Sequence, residues 1–149
     1  MAQQYQIDFV NRYAQMAMQQ EIQYGIPASV TLAQMALESD WGRGYLARAG
    51  NNYFGIKQGS STGPTIKGTD GLAYRQYQSP EDSIIDHSRV LMGKNYAPCH
   101  QYSWTDAYNW CRGLKACNYA SDSNYVNKLL NTIKSNSLRQ FDTMAENIA

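Results

Sequence analysis

Acid chemistry has few places to sit in this chain. Of its 149 residues only twelve are Asp or Glu, and the glutamates are Glu21, Glu38, Glu81 and Glu146. Glu81 and Asp82 follow Ser79 and Pro80, the composition of a capped helix start with acids on the positive end of the dipole. Glu21 stands in a polar run with Gln19, Gln20 and Gln23, and Glu146 lies in the C-terminal tail. Glu38 differs. It follows Ala33, Met35, Ala36 and Leu37 near the end of a helix that is apolar on most faces. Burial there disfavours the charged carboxylate, and the negative end of the helix dipole acts in the same direction. Both effects move the carboxyl toward the range a general acid needs. Ser39, Trp41, Gly42 and Gly44 then place a ring and flexible backbone beside it, and Asn51, Asn52, Tyr53 and Phe54 supply amide donors and stacking faces. An acid, amides and rings gathered at one helix end suit a cleft for a sugar polymer.

Other chemistries find less support. The sequence has no G-x-S-x-G string between a predicted strand and a helix, as a nucleophile elbow needs, and no phosphate loop. His87 and His100 lie near no nucleophile motif, and His87, beside Asp86, reads as a structural hydrogen-bonding residue. Cys99, Cys111 and Cys117 are odd in number and form no C-x-x-C pair, so no metal or cofactor is expected. They read as small buried hydrophobes, with a Cys111–Cys117 bridge left open. A net charge of +1 and 17% charged residues leave no basic stripe, which excludes nucleic acid as an expected partner. Membrane insertion is not expected either, because no apolar run approaches the ~18 residues of a span. The first residues lack the basic and apolar regions of a secretory signal, so action outside a cytoplasm would require another delivery route. Twelve tyrosines and three tryptophans suit a polar ligand with apolar faces.

The elements that must position these residues are mostly helical. A period of apolar or small residues from Ile7 to Tyr24 predicts a first helix that stops at Gly25. Pro27 opens a second that ends near Asp40, and Tyr45 to Arg48 adds a short turn. The Gly-, Ser- and Thr-rich stretch from Gln58 to Gly71 reads as a loop, with Thr65 to Lys67 and Leu72 to Tyr77 pairing as a hairpin. Further helices are predicted around Ile84 to Met92, Trp104 to Leu114 and Tyr125 to Ile133. Residues 1–135 read as the catalytic domain and 136–149 as a tail of weak periodicity in which Phe141 docks on the body while the extreme end frays. The expectation is a mostly α (α+β) domain with one small hairpin lobe.

The string from Tyr24 to Gly42, with Asn51-Asn52-Tyr53-Phe54-Gly55-Ile56-Lys57, resembles glycoside hydrolase family 73, the peptidoglycan-cutting N-acetylglucosaminidases. The likeness continues through Tyr74-Arg75-Gln76-Tyr77, Ser83, Asp86, His87, Gly113-Leu114-Lys115, Tyr119-Ala120 and Tyr125. It implies a lysozyme-like fold and cleavage of the β-1,4 bond from N-acetylglucosamine to N-acetylmuramic acid. Glu38 matches the family's general acid, and Tyr119 matches a cleft tyrosine that orients water or steadies the oxocarbenium charge. Tyr77 joins Ser39, Trp41 and the Asn51–Phe54 residues as implied substrate contacts. Asp70, the one acid in the hairpin lobe, is the implied second carboxylate. Across a wide cleft it would activate water; turned to solvent, it would leave Glu38 to work with the substrate's N-acetyl group. A muramidase, a lytic transglycosylase or an inactive glycan-binding module of the same fold are the alternatives. The resemblance further implies a monomer acting on cell-wall glycan strands, delivered by phage lysis, a virion or a secretion machine, with an immunity protein as partner in the last case.

Overall fold

A computed structural model describes residues 2–149. In chain order the elements are α1 (Gln4–Tyr24), α2 (Ala28–Ser39), α3 (Tyr45–Gly50), β1 (Thr65–Lys67), β2 (Ala73–Arg75), α4 (Pro80–Leu91), a 3-10 helix (Lys94–Gln101), α5 (Ala107–Ala116), α6 (Tyr125–Ser135) and α7 (Arg139–Ile148). The helical stripes read from sequence reappear as α1, α2, α4, α5 and α6. Ser79 caps α4 by accepting from the Asp82 N–H, with Pro80 in the first turn. The body is therefore lysozyme-like and mostly helical, with one small antiparallel sheet.

α2 is the axis of that body. Every residue of it except Leu37 and Glu38 is buried, and it touches α1, α3, α5, α6 and α7. Small residues such as Ala28, Ala33 and Ala36 let the neighbouring helices approach, while Val30, Leu32 and Met35 fill the space between them. Pro27, at the N-cap rather than the first helical position, offers no side-chain cap. Two carboxyl groups take over that task inside the protein. Ala28 N–H donates to Glu21 at 2.6 Å, and the N–H and hydroxyl of Ser29 donate to Asp142 at 2.8 and 2.6 Å.

Two features differ from the sequence expectation. Residues 139–148 form α7, packed on α1 and α2, with Leu138, Asp142 and Ala145 buried rather than lying in a loose tail. Glu21, expected on a polar face, has no solvent exposure. Both follow from the cap: a helix that begins in the interior needs acceptors there, and Glu21 and Asp142 supply them. The three cysteines carry free thiols, with Cys99 and Cys111 buried and Cys117 half-buried.

The hairpin is short. Thr65 pairs with Arg75, Ile66 with Tyr74 and Lys67 with Ala73, so the second strand is shorter than the Leu72–Tyr77 span predicted. Ile66 presses on Gly50, where an added Cβ would meet it at 2.9 Å. Arg75 and the Tyr77 hydroxyl both bind Asp86 on α4. Asp86 thus ties the lobe to the helical body.

Burial pushes Glu21 up to about 9, against the pull of the Ala28 N–H and with help from the neighbouring Asp142. Burial raises Asp142 as well, against the donors of Ser29. A proton held by Glu21 in the folded state and lost on unfolding makes stability fall as pH rises from about 4.5 to about 9. The urea midpoint is expected to decline across that window. Glu21→Gln, whose amide oxygen accepts from Ala28 and which has no carboxyl proton to lose, is expected to flatten the decline; a wild-type midpoint that climbs with pH would contradict this linkage.

Candidate active site

The last turn of α2 opens into a cleft of about 850 Å³. Its walls come from the loop after α3 (Phe54, Gly55, Ile56, Lys57), from Arg75 on β2, from Tyr96 on the 3-10 helix, and from residues 118–122 with Tyr125 and Lys128. Glu38 sits on it. The chain must turn immediately after this residue, and Asp40 and Trp41 do so in the left-handed region, at φ 49° and 58°. Ser39 secures the turn: its hydroxyl donates to the Met35 carbonyl at 2.6 Å and accepts from the Gly42 N–H at 2.8 Å.

The Glu38 side chain is open to solvent across the cleft mouth yet walled by protein on its other sides. The Gly55 backbone, at φ 66°, passes close enough that an added Cβ would lie 3.7 Å from the Glu38 Oε2. This enclosure removes water from the carboxyl and raises its pKa, while the Tyr125 hydroxyl pulls it back down. Tyr119 stacks on Tyr125 with ring centroids 6.0 Å apart and 14° between planes. Burial, chiefly, holds the Tyr119 phenol protonated, and the charge of Glu38 adds to that.

Of the residues singled out from sequence, Glu38, Phe54 and Tyr119 line the cleft. The others surround it as supports. Asn52 is buried and clips the loop from inside: its side-chain N–H groups donate to the Ile56 and Arg75 carbonyls at 2.9 and 2.8 Å, and its oxygen accepts from the Ile56 N–H at 3.0 Å. Asn51 closes α3 at φ 54° and donates to the Tyr77 carbonyl. Trp41 and Tyr53 pack with Phe9 in an aromatic cluster that also holds Tyr13. Tyr77 is spent on Asp86.

Asp70 does not line the cleft. It lies in the hairpin turn, where one oxygen accepts from the Tyr74 hydroxyl at 2.6 Å and the other from the Leu72 N–H at 3.0 Å. Those donors hold its carboxyl below the usual range, so it stays ionised and engaged. The acid that shares the cleft with Glu38 is Asp122, which sequence reasoning did not single out. Both of its oxygens are taken as well, one by Lys128 and one by the Asn124 N–H. Tyr125, read from sequence as the start of a helix and as part of the family likeness but given no role, also lines the cleft.

A helical body, a small hairpin lobe and a desolvated glutamate at the end of a buried helix define a lysozyme-like glycosidase arrangement. The sequence model of the glucosaminidase family, described as mannosyl-glycoprotein endo-beta-N-acetylglucosaminidase, matches residues 14–138. The chain belongs to this family, glycoside hydrolase family 73. Among curated relatives, the exo-glucosaminidase LytG of Bacillus subtilis (strain 168) is 28% identical over 159 residues, spanning 94% of this chain and 54% of LytG. The first curated relatives are covered over only 18% to 54% of their own length. Among solved structures, the catalytic domain of the Listeria monocytogenes autolysin Auto superposes with a TM-score of 0.76 at 29% identity, covering 95% of this chain and 90% of that one. The peptidoglycan hydrolase from Sphingomonas sp. A1 gives 0.77 at 28% identity, covering 93% and 94%.

Because Asn52 makes three buried hydrogen bonds that shape the cleft wall, Asn52→Ala is expected to cost about 2–4 kcal/mol. Urea denaturation read by circular dichroism checks this. A loss within about 0.5 kcal/mol, as for an ordinary surface change, would return Asn52 to a ligand-binding role.

Proposed function

We propose that the chain hydrolyses peptidoglycan at the β-1,4 bond from N-acetylglucosamine to N-acetylmuramic acid, with Glu38 as general acid. The observation that carries this reading is a glutamate whose pKa is raised by partial enclosure, facing an open cleft with protonated phenols beside it. Family membership and the likeness to the Sphingomonas peptidoglycan hydrolase support the substrate class. An open cleft supports a cut within a strand.

The engagement of both oxygens of Asp70 and of Asp122 favours a route that needs no second protein carboxylate. In that route the substrate's acetamido oxygen attacks the anomeric carbon while Glu38 gives its proton to the leaving oxygen. Glu38, now ionised, takes a proton from the water that attacks the anomeric carbon of the resulting oxazolinium ion and breaks its bond to the acetamido oxygen. The anomeric configuration is retained, and Glu38 returns to its acid form. Tyr119, neutral and against the cleft, steadies the charge that develops on the sugar ring.

Glu38→Gln is expected to fold normally and to lose about 10²–10⁴-fold in kcat on purified sacculi. Asp70→Asn is expected to stay within a fewfold of the wild-type rate. Mass spectrometry of the digest should show reducing-end N-acetylglucosamine. Reducing-end or anhydro-muramic acid would instead make the protein a muramidase or transglycosylase, sacculus binding without soluble product would make it a binding module, and a large loss in Asp70→Asn would restore the hairpin acid as water-activating base.

A further inference from the structure

Gln34 lies one helical turn before Glu38 on α2 and is fully buried. Its amide is engaged at both ends. Nε2 donates to the Tyr125 hydroxyl at 2.9 Å, and Oε1 lies 2.8 Å from Nε2 of His87. A carbonyl oxygen only accepts, so His87 carries its proton on Nε2. Its Nδ1 is then a bare nitrogen, and that atom is buried without a partner. The opposite amide orientation would put a hydrogen on the same unpartnered Nδ1, and an orphaned buried donor is the rarer of the two defects. Burial keeps the ring neutral, and Phe54 stacks on it with centroids 4.0 Å apart. Since the Tyr125 oxygen already accepts from Gln34, its own hydrogen is free to point elsewhere. Glu38 lines the same cleft as Tyr125 and is the acid whose pKa the Tyr125 hydroxyl lowers.

We propose that His87 and Gln34 are positioning residues for the general acid: a one-way chain, His87 N–H to the Gln34 carbonyl, Gln34 N–H to Tyr125 and Tyr125 O–H to Glu38, aims the phenol at the acid. This rests on the reading of Glu38 as the general acid. No proton travels along the chain, because the ring stays neutral and the amide carries none to give. What the chain transmits is orientation and polarisation. Enclosure alone would leave Glu38 a reluctant proton donor; a hydroxyl held toward it stabilises the carboxylate that proton transfer creates. The same hydroxyl fixes the carboxyl for the return step, when Glu38 acts as base.

The test is the pH profile. Besides Tyr125, the ionisable groups facing Glu38 are Lys57 and Arg75 on the hairpin side, Tyr96 on the 3-10 helix, Tyr119 and Asp122 before α6, and Lys128 on α6. All six are untouched in the variants, so a moved limb reports on the chain. Activity fails on the basic side as Glu38 loses its proton. Removing the donor raises Glu38 further, so Tyr125→Phe and Gln34→Met are expected to move the basic limb of kcat/KM up by about one pH unit. Plateau kcat should fall about tenfold with KM little changed. His87→Leu should follow Gln34→Met, and His87→Gln, whose amide nitrogen can stand where Nε2 stood, should recover most of the loss.

A wild-type limb and plateau in these variants, or a loss confined to KM, overturns the chain while leaving the Glu38 reading intact, provided Glu38→Gln run alongside is inactive. An active Glu38→Gln removes both. One readout needs no variant to fold: in the unmodified protein the ¹⁵N shifts of His87 should show a protonated Nε2 and a bare Nδ1, without titration between about pH 5 and pH 8. An Nδ1–H tautomer overturns the chain.

Discussion

The structure depends on one constraint: α2 begins inside the protein and ends at the cleft. A helix buried along all but its last turn cannot satisfy its first N–H groups with water, and its leading proline has no side chain to cap them. Glu21 from α1 and Asp142 from α7 therefore reach in to accept those hydrogens. The cost is two acids in the interior, offset by the donors of the helix itself and by burial keeping the proton on Glu21. With its origin fixed, the helix delivers Glu38 to a set place. The left-handed turn at Asp40 and Trp41, secured by Ser39, carries the chain away before it can cover the carboxyl.

The same economy governs the cleft. Few side chains here touch only one thing. Asn52 holds the Phe54–Ile56 wall and the end of β2 together, and Asp86 ties β2 and Tyr77 to α4. Phe54 lines the cleft with one face and stacks on His87 with the other. The wall of the substrate site is thus the outer surface of a polar network in the core, in which Ser88 also bonds Gln20 at 2.7 Å. Such a network rigidifies a site only when its members are satisfied. Among the described residues, His87 Nδ1 is one of five buried side-chain polar atoms without a partner, with Glu21 Oε2, Thr31 Oγ1, Trp110 Nε1 and Asn136 Oδ1.

Much of this was legible in the sequence, and the remainder was hidden for definable reasons. Glu38 stood out because charge is scarce and its neighbours are apolar. The five main helices followed from their stripes and caps, since both are local. Motif residues were harder to sort, because a motif marks a loop without telling a residue that meets substrate from one that holds the loop. Asn51 and Asn52 hydrogen-bond the loop and the hairpin and Trp41 and Tyr53 pack with Phe9, and only the fold separates them from Phe54, which lines the cleft. Glu21 and α7 were hidden by distance: Asp142 meets Ser29 across 113 positions, and an acid on the buried face of α7 disguises a stripe that otherwise runs through Leu138, Phe141 and Ala145. Asp70 looked available because it was the only acid in the hairpin; Tyr74, on the partner strand, engages it.

Enclosure at the end of α2 raises the Glu38 carboxyl above its ordinary range, toward that of a proton donor. A titration of the intact protein followed by the ¹³C resonance of the Glu38 carboxyl, assigned by its absence in Glu38→Gln, measures this directly. The account predicts a midpoint clearly above the solvated glutamate value of about 4.3. A midpoint at or below that value would contradict it.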